Sequence, residues 1–311
     1  MGDKFLSIDL GSNTLRAAIF MEKDGEIYKD KSVEFIVGSA KGLAKTNQIC
    51  NEAVGKIKQA LNDVLKQFGL VRFSDIAYAA VATEAFRKAL NSSEVFDEIY
   101  SQNGIKFNII SPTAEGRFSF LGIQEASKKI GTNSDNLAFI DLGGASTEIG
   151  DAQASKSFEL GIVTFYERCD KNLMNVLRQA NEATKKLKEY LLSLDKSTIA
   201  LTSGISTTVA ALRLGYTWQS YDAEAVNGYV LSVDDFGELG AEVLAMSDEE
   251  AKIRLGADRK MLVLTGLSLL EAMLKGINTK LIVIDDGLRE GVAAAYFRGE
   301  LENLINLKEQ K

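Results

Sequence analysis

The sequence contains no histidine, and this absence narrows the chemistry that it can support. Histidine is the commonest general base near neutral pH and the commonest metal ligand in proteins. Ser-His-Asp and Cys-His mechanisms are therefore excluded within this chain. Acid–base catalysis falls to Asp, Glu, Lys or Tyr, and any catalytic metal has to be bound by oxygen ligands, as Mg²⁺ is.

Cysteine, positive charge and long apolar runs are also scarce. Cys50 and Cys169 form no CxxC pair, so we expect a reducing, cytoplasmic compartment. No apolar run approaches the roughly 20 residues of a membrane-spanning helix, so we expect no membrane partner. The net charge of −7 argues against a nucleic-acid partner, because such partners are bound through a basic face.

Strand-like and helix-like segments alternate along the chain, which has one proline and no low-complexity tract. Apolar runs such as DIAYAAVA (75–82) and NLAFID (136–141) predict buried strands. Apolar residues at helical spacing predict a helix over 52–70. This alternation indicates an α/β fold of mixed sheets covered by helices, and the pattern restarts near 121–136.

A strand–turn–strand pattern with Asp-Leu-Gly at its turn occurs twice, at 7–20 and 139–150. Glycine and small hydroxyl residues in such turns let backbone N–H groups approach phosphate, and the strand-end Asp9 and Asp141 could bind Mg²⁺. A tight hairpin whose aspartate satisfies only its own turn would have the same sequence. Because the pattern heads both halves, we favour two phosphate-binding turns facing each other across a cleft.

Four further positions carry candidate chemistry, each with a structural alternative. Glu148 follows the second turn and would lie beside a bound phosphate, or be a solvated strand residue. Glu115 lies in the first turn of a predicted helix, where a carboxylate also complements the helix dipole without any catalytic role. Arg87 matches phosphate bidentately, although a solvated helix face is the simpler interpretation of it alone. Ser203–Gly204 precedes a helix N-terminus that could bind an anion, which alone is weak support.

Eight collinear motifs resemble the exopolyphosphatase/guanosine pentaphosphate phosphatase (Ppx/GppA) family, part of the superfamily of actin, Hsp70 and sugar kinases. They are DLGSNTLR (9–16), ATEAFRKALN (82–91), ISPTAEGRFSFLGI (110–123), DLGGASTEIG (141–150), SFELGIVTFYER (157–168), TSGISTTVAALRLG (202–215), VNGYVLS (226–232) and GLREGV (287–292). The resemblance implies a short form with two ribonuclease-H-like lobes and an interdomain cleft. We expect the first lobe to comprise 1–121 plus 296–311 and the second 122–295.

The resemblance also implies roles for individual residues. Glu115 would be the general base that activates water, and Glu148 would support that water or a metal. Asp141, with Asp9 at the equivalent place in the first turn, would bind Mg²⁺, and Arg87 would bind phosphate. Further phosphate contacts would come from the two turns and from the helix start at Ser203–Gly204: Ser12, Asn13, Gly143, Gly144, Ser146, Thr147 and Gly204. Arg259 and Arg289 are candidates for binding the distal part of the substrate.

The activity that the resemblance implies is hydrolysis of a terminal phosphoanhydride bond in inorganic polyphosphate or guanosine pentaphosphate, and the family relationship favours a homodimer. Two alternatives stay open. One is an ATP-dependent phosphotransferase of the same superfamily. The other is a non-catalytic sensor of guanosine tetra- or pentaphosphate, suggested by departures from the family pattern: Pro112, Thr113 and Ala114 before Glu115, and Ile205 in place of threonine.

Overall fold

A computed structural model describes residues 4–307 of the chain. The chain divides into two compact units, Met1–Glu125 together with Gly287–Lys311, and Ala126–Asp286. Within the described residues, the first unit is built on a sheet of five strands and the second on a sheet of six. The domain boundaries expected at 121/122 and 295/296 stay predictions, and the outermost residues of the expected first lobe, 1–3 and 308–311, lie outside the described range.

The first unit begins with ten α-helices and β-strands. They are β1 Lys4–Leu10, β2 Thr14–Lys23, β3 Glu26–Ile36, α1 Leu43–Thr46, α2 Asn51–Phe68, β4 Ala77–Ala82, α3 Glu84–Lys88, α4 Ser92–Asn103, β5 Asn108–Ile109 and α5 Pro112–Lys129. The strand order is β3-β2-β1-β4-β5, with β1 antiparallel to β2 and parallel to β4. The predicted hairpin at 7–20 is therefore confirmed, and its second strand extends to Lys23.

Helix α2 follows directly from its apolar periodicity. Val54, Ile57, Leu61 and Val64 are buried on one face, as their spacing predicts. The helix ends at Gly69, whose φ of 72° is readily adopted by glycine and whose N–H donates to the last-turn carbonyls. The predicted range of 52–70 thus differs from the observed helix by only one or two residues at each end.

Strand β3 does not follow from sequence periodicity. Its sequence, EIYKDKSVEFI, places charged residues throughout an edge strand that pairs antiparallel with β2. Exposed charges on an edge strand discourage pairing with other chains. They also hide the alternation of apolar and polar residues by which a strand is recognised.

The second unit contains thirteen α-helices and β-strands. They are β6 Leu137–Leu142, β7 Thr147–Gly150, β8 Ser155–Phe158, α6 Ile162–Arg168, α7 Leu173–Ser193, β9 Thr198–Leu201, α8 Gly204–Arg213, α9 Ala223–Val226, β10 Val230–Leu231, α10 Asp234–Ala245, α11 Asp248–Leu255, α12 Lys260–Leu274 and β11 Lys280–Val283. The strand order is β10-β11-β9-β6-β7-β8. The predicted hairpin at 139–150 is β6 and β7, which pair antiparallel.

Three parallel neighbours in this second sheet place their carboxyl ends at one edge. β6, β9 and β11 pair in parallel, and the pairing is extended by Thr202 N–H to Ile140 O (3.0 Å) and by Ile284 N–H to Leu201 O (3.1 Å). The segments that follow these strands therefore lie together at this edge. In open α/β sheets, ligands bind outside the carboxyl ends of parallel strands.

The chain returns to the first unit through α13 Leu288–Phe297 and α14 Leu301–Ile305. The apolar face of α13 is buried against Phe5 and Phe118. A side chain at Gly291 would collide with the backbone carbonyl of Phe118, so glycine is required where α13 approaches α5. Helices α13 and α14 thus pack within the first unit. Among the described helices, none combines the length and apolar character of a membrane span.

Candidate active site

The first Asp-Leu-Gly turn is held by a segment that follows β3. Gly11 N–H donates to Thr14 O at 2.9 Å and closes the turn. Ser12 O accepts a hydrogen bond from Ala40 N–H at 2.7 Å, and Asn13 O accepts from two N–H groups in 37–38. The carbonyl groups of both predicted phosphate-binding residues are therefore fixed. Segment 37–40, VGSA, was missed by sequence reasoning, although Gly38 was an available signal of a turn.

Asp9 lies in a ladder of alternating charges across three strands. It stands opposite Arg16 in the β1–β2 register, and Arg16 stands opposite Glu34 in the β2–β3 register. Arg16 Nε donates to Glu34 Oε2 at 2.9 Å. Residues opposite one another in antiparallel strands share a face of the sheet, so Asp9 has a basic neighbour. The assignment of Asp9 to a metal stays a prediction.

Glu115 is placed by a capped helix start. Pro112 is the first residue of α5, where its missing N–H costs no hydrogen bond. Ser111 Oγ accepts from Ala114 N–H at 3.1 Å and donates to Leu307 O at 2.5 Å. The Glu115 side chain is buried, with 7% of the residue exposed. Glu115 therefore occupies the first turn of α5, as predicted, and its side chain is largely shielded from solvent.

Arg87 joins Glu115 to two other oxygens of the first unit. Its Nη1 donates to Glu115 Oε2 at 2.7 Å and to Ile110 O at 2.9 Å, and its Nε donates to Glu84 Oε2 at 2.9 Å. Only 14% of the Arg87 side chain is exposed. The solvated-helix interpretation of Arg87 is therefore wrong. A phosphate bound by Arg87 would have to share or replace one of these protein oxygens.

The second Asp-Leu-Gly turn is held in a similar way by the start of α6. Gly143 N–H donates to Ser146 O at 2.9 Å, and the carbonyls of Gly143 and Gly144 accept N–H groups from 162–164. A side chain at Gly161 would collide with the backbone of Ala145, so glycine allows this close approach. The turn backbone is thus fixed on its carbonyl side.

Thr147 differs from the other predicted phosphate ligands of this turn. Its hydroxyl donates to Leu160 O at 2.5 Å, and the residue is fully buried. The hydroxyl therefore fastens the start of β7 to the segment before α6. The assignment of Thr147 to phosphate stays a prediction.

Asp141 and Glu148 stand opposite one another in the β6–β7 register. Glu148 is only 2% exposed, so its interpretation as a solvated strand residue is wrong. Ser157, opposite Glu148 on β8, donates its hydroxyl to Glu148 Oε1 at 2.7 Å. Sequence reasoning missed Ser157, because only the strand register brings it to Glu148.

Two carboxylates in direct cross-strand opposition are unfavourable unless a cation compensates them. Their oxygen donors fit a hard cation such as Mg²⁺, which is commonly held by one or two carboxylates together with waters and phosphate oxygens. Within residues 4–307, no group of three or more Asp, Glu or Cys side chains is arranged to hold a metal by itself. Asp141 and Glu148 offer two carboxylate groups to such a cation, and the assignment of Mg²⁺ to them stays a prediction.

The helix start at Ser203–Gly204 and Arg259 also lie in the second unit. Ser203 caps α8, with its Oγ 3.5 Å from Ser206 N and 3.1 Å from Ser206 Oγ, and Gly204 is the first residue of the helix. Arg259 precedes α12, and its guanidinium carbon lies 4.2 Å from the centre of the Trp218 ring. The expected substrate contacts of Gly204 and Arg259 stay predictions.

Arg289 is buried in an ion cluster of the first unit. Its Nε donates to Glu290 Oε1 at 2.9 Å, Lys29 Nζ lies 2.9 Å from the same oxygen, and Gly287 N–H donates to Glu290 Oε2 at 3.0 Å. Burial raises the pKa of Glu290, but attraction to Arg289 and Lys29 and the Gly287 hydrogen bond outweigh it and hold the pKa well below its ordinary value. This arrangement gives Arg289 a structural role.

Comparison with known proteins decides the family. Residues 18–297 match the Ppx/GppA phosphatase family. The chain belongs to this family. It is similar to a guanosine-5'-triphosphate,3'-diphosphate pyrophosphatase from Photobacterium profundum, with 29% identity over 304 residues that cover 93% of this chain and 58% of that protein. The chain thus spans little more than half the length of that curated relative.

Solved structures of Ppx/GppA proteins share the fold. An Aquifex aeolicus family member matches with a TM-score of 0.72 and 26% identity, covering 96% of this chain and 98% of that one. An exopolyphosphatase from Cytophaga hutchinsonii matches with a TM-score of 0.80 and 22% identity over the same shares. The predicted fold class, two ribonuclease-H-like α/β lobes of the actin superfamily, is confirmed. Ppx/GppA phosphatases depend on a metal ion.

Proposed function

We propose that this Ppx/GppA protein hydrolyses the terminal phosphoanhydride bond of inorganic polyphosphate or guanosine pentaphosphate. Family membership supports a phosphatase, and the names of its relatives, a pyrophosphatase of a guanosine nucleotide and an exopolyphosphatase, support these two substrates. One observation carries the assignment of the base. Glu115 is a buried carboxylate bound by Arg87 in a capped helix start, an arrangement that the macrodipole alone does not require.

In the proposed reaction, Glu115 takes a proton from a water molecule as its oxygen attacks the terminal phosphorus in line with the bridging oxygen. The bond from that phosphorus to the bridging oxygen breaks, and the shortened chain and inorganic phosphate leave. As the family resemblance implies, Arg87 would bind the terminal phosphate, and glycine-rich turns would supply further hydrogen-bond donors. Asp141 and Glu148 would hold Mg²⁺, which offsets charge on phosphate oxygens when it is bound.

A phosphate-release assay on both substrates, with and without Mg²⁺, tests this function. We expect metal-dependent release of free phosphate without any added acceptor. A phosphotransferase would instead transfer the phosphoryl group to a metabolite acceptor. A sensor would bind guanosine tetra- or pentaphosphate and release no phosphate. Glu115→Gln should lower the rate of release by about 10²- to 10⁴-fold. Glu52→Gln, a change at an exposed carboxylate of the same unit that binds Lys41 and Lys56, should leave release intact.

The sensor alternative gains no support from the three residues that precede Glu115. Pro112, Thr113 and Ala114 form a regular first turn of α5, and Ala114 N–H is bound by the Ser111 cap. The departure from the family pattern therefore leaves the position of Glu115 on α5 intact. Hydrolysis remains the function that these residues support best.

The cytoplasmic compartment and the homodimer are parts of the same proposal. Cys50 and Cys169 are both free thiols, which supports a reducing compartment. Burial raises the pKa of the Cys169 thiol, so this cysteine is a packing residue rather than a nucleophile. Sedimentation equilibrium of the purified chain would measure whether it forms a dimer.

A further inference from the structure

Glu84 is a buried carboxylate at the first residue of α3, and the proposed reaction assigns it no role. Its Oε2 accepts from Arg87 Nε at 2.9 Å and lies 2.8 Å from Arg87 Nη2. Its Oε1 lies 2.9 Å from Lys88 Nζ. Only 10% of the Glu84 side chain is exposed. A carboxylate this buried has to be compensated by its cationic neighbours, which here are Arg87 and Lys88.

The guanidinium of Arg87 is held along two edges. Glu84 occupies the edge formed by Nε and Nη2, and Nη1 is directed to Glu115 Oε2 and Ile110 O. A guanidinium is planar, so fixing its Nε–Nη2 edge also fixes the direction in which Nη1 donates. The position of Glu84 therefore determines how Arg87 meets Glu115.

We propose that Glu84 is a positioning residue that fixes the Arg87 guanidinium against Glu115, an inference that rests on the proposed function of Arg87 and Glu115. Helix α3 has only five residues and little stability of its own, so its backbone alone does not fix a long side chain. Glu84 acts through Arg87 and does not itself touch substrate. Lys88, on the other carboxylate oxygen, keeps Glu84 from turning away from Arg87.

A purely structural role for Glu84 is the competing explanation. A carboxylate in a helix's first turn complements the helix dipole and would stabilise α3 whatever residue stood at position 87. The two explanations differ in whether the effect of removing Glu84 depends on Arg87. If Glu84 acts through Arg87, removing Glu84 matters only while Arg87 is present.

A double-mutant cycle in the full chain measures this coupling. The variants are Glu84→Ala, Arg87→Ala and both together, with kcat and KM measured for polyphosphate hydrolysis. We expect Glu84→Ala to lower kcat/KM about 10- to 100-fold, the range typical of a group that orients a functional side chain. In the Arg87→Ala background the same change should alter kcat/KM by less than about twofold. Equal losses in both backgrounds, or no loss in either, would overturn the inference.

Two controls separate folding from positioning. Glu52→Ala removes an exposed carboxylate that binds a lysine four residues later, as Glu84 does, and should leave kcat/KM at the wild-type value. If Glu84→Ala does not fold, as judged by thermal unfolding, the isosteric Glu84→Gln replaces it in the cycle. Its neutral amide still fills the space but lacks the charge that holds the guanidinium.

A second measurement keeps the inference testable if the proposed function fails. Wild-type protein that releases no phosphate from either substrate would contradict the function but not the positioning role. Proton exchange at Arg87 Nε–H, followed by NMR and assigned with Arg87→Lys, then reports directly on the contact. Slow exchange in the wild type and fast exchange in Glu84→Gln support the role. Unchanged exchange in Glu84→Gln overturns it.

Discussion

Arg87 Nη1 donates to Glu115 Oε2 at 2.7 Å, and this bond joins helix α3 to the start of helix α5. The two residues lie in motifs that sequence reasoning treated separately. For each, the sequence also allowed a purely structural role. Their contact makes them a buried ion pair, in which a guanidinium and a carboxylate compensate each other's charge. A substitution that displaces or removes the Arg87 guanidinium is therefore expected to change the position and charge environment of Glu115.

Removal of Arg87 should cost stability as well as activity. Arg87→Ala leaves Glu84 and Glu115 buried without their shared cation, and loss of one partner of a buried ion pair typically costs about 3–5 kcal/mol. Urea unfolding at pH 7 measures the change in the free energy of unfolding. Arg87→Lys keeps the charge but not the planar fork, so it should recover much of the stability and little of the activity. An unfolding midpoint equal to the wild type for Arg87→Ala would contradict the buried contact.

Ser157 should influence metal binding through Glu148. Its hydroxyl bond orients a carboxylate that we assign to Mg²⁺, and loss of such an orienting bond typically weakens metal affinity about 10- to 100-fold. Ser157→Ala should therefore raise the Mg²⁺ concentration needed for half-maximal phosphate release, with kcat at saturating metal changed less. Ser155→Ala is the matched control, since Ser155 lies on the same strand opposite Gly150. Identical metal dependence in the two variants would argue against this role.

The Glu290 cluster should make stability depend on pH. A carboxyl whose pKa is lowered in the folded protein stabilises it above the unfolded-state value of about 4.3, and this contribution is lost as pH falls towards the folded-state pKa. Glu290→Gln should therefore be less stable than the wild type at pH 7, and the difference should shrink below about pH 4. Urea unfolding from pH 7 to pH 3 measures both. A difference that stays constant with pH would show that the charge of Glu290 contributes nothing.

Gly161 should be required for the shape of the second turn. Gly161→Ala would force the segment before α6 away from Ala145 and with it the hydrogen bonds to Gly143 and Gly144. Overpacking of this kind typically costs about 1–3 kcal/mol, and we expect phosphate release to fall with it. Gly55→Ala is the control, because a side chain there meets open space on helix α2. Equal unfolding midpoints for the two variants would contradict the close approach.

The sequence patterns that repeat locally were the ones that predicted structure correctly. The doubled Asp-Leu-Gly hairpin, the apolar face of α2 and the start of α5 near Pro112 each depend on residues within one or two turns of chain. Strand β3 was missed because exposed charges obscure its periodicity. Local pattern therefore predicted these elements but not a polar edge strand.

The partners within the candidate site could not be predicted in the same way. Ser157 meets Glu148 only through strand register, and Arg87 meets Glu115 only because α3 and α5 pack together. Glu84 had a local signal, its spacing of three residues from Arg87, but that spacing is also common on solvated helix faces. Burial, which spacing does not reveal, separates the two cases.

The hydrolytic role of Glu115 can be tested by one substitution. Glu115→Gln keeps the size of the side chain and a hydrogen-bond acceptor for Arg87, but removes the base. We predict that kcat for phosphate release falls about 10²- to 10⁴-fold, the usual contribution of a general base, while substrate affinity stays near the wild-type value. A Glu115→Gln protein that releases phosphate at the wild-type rate would contradict it.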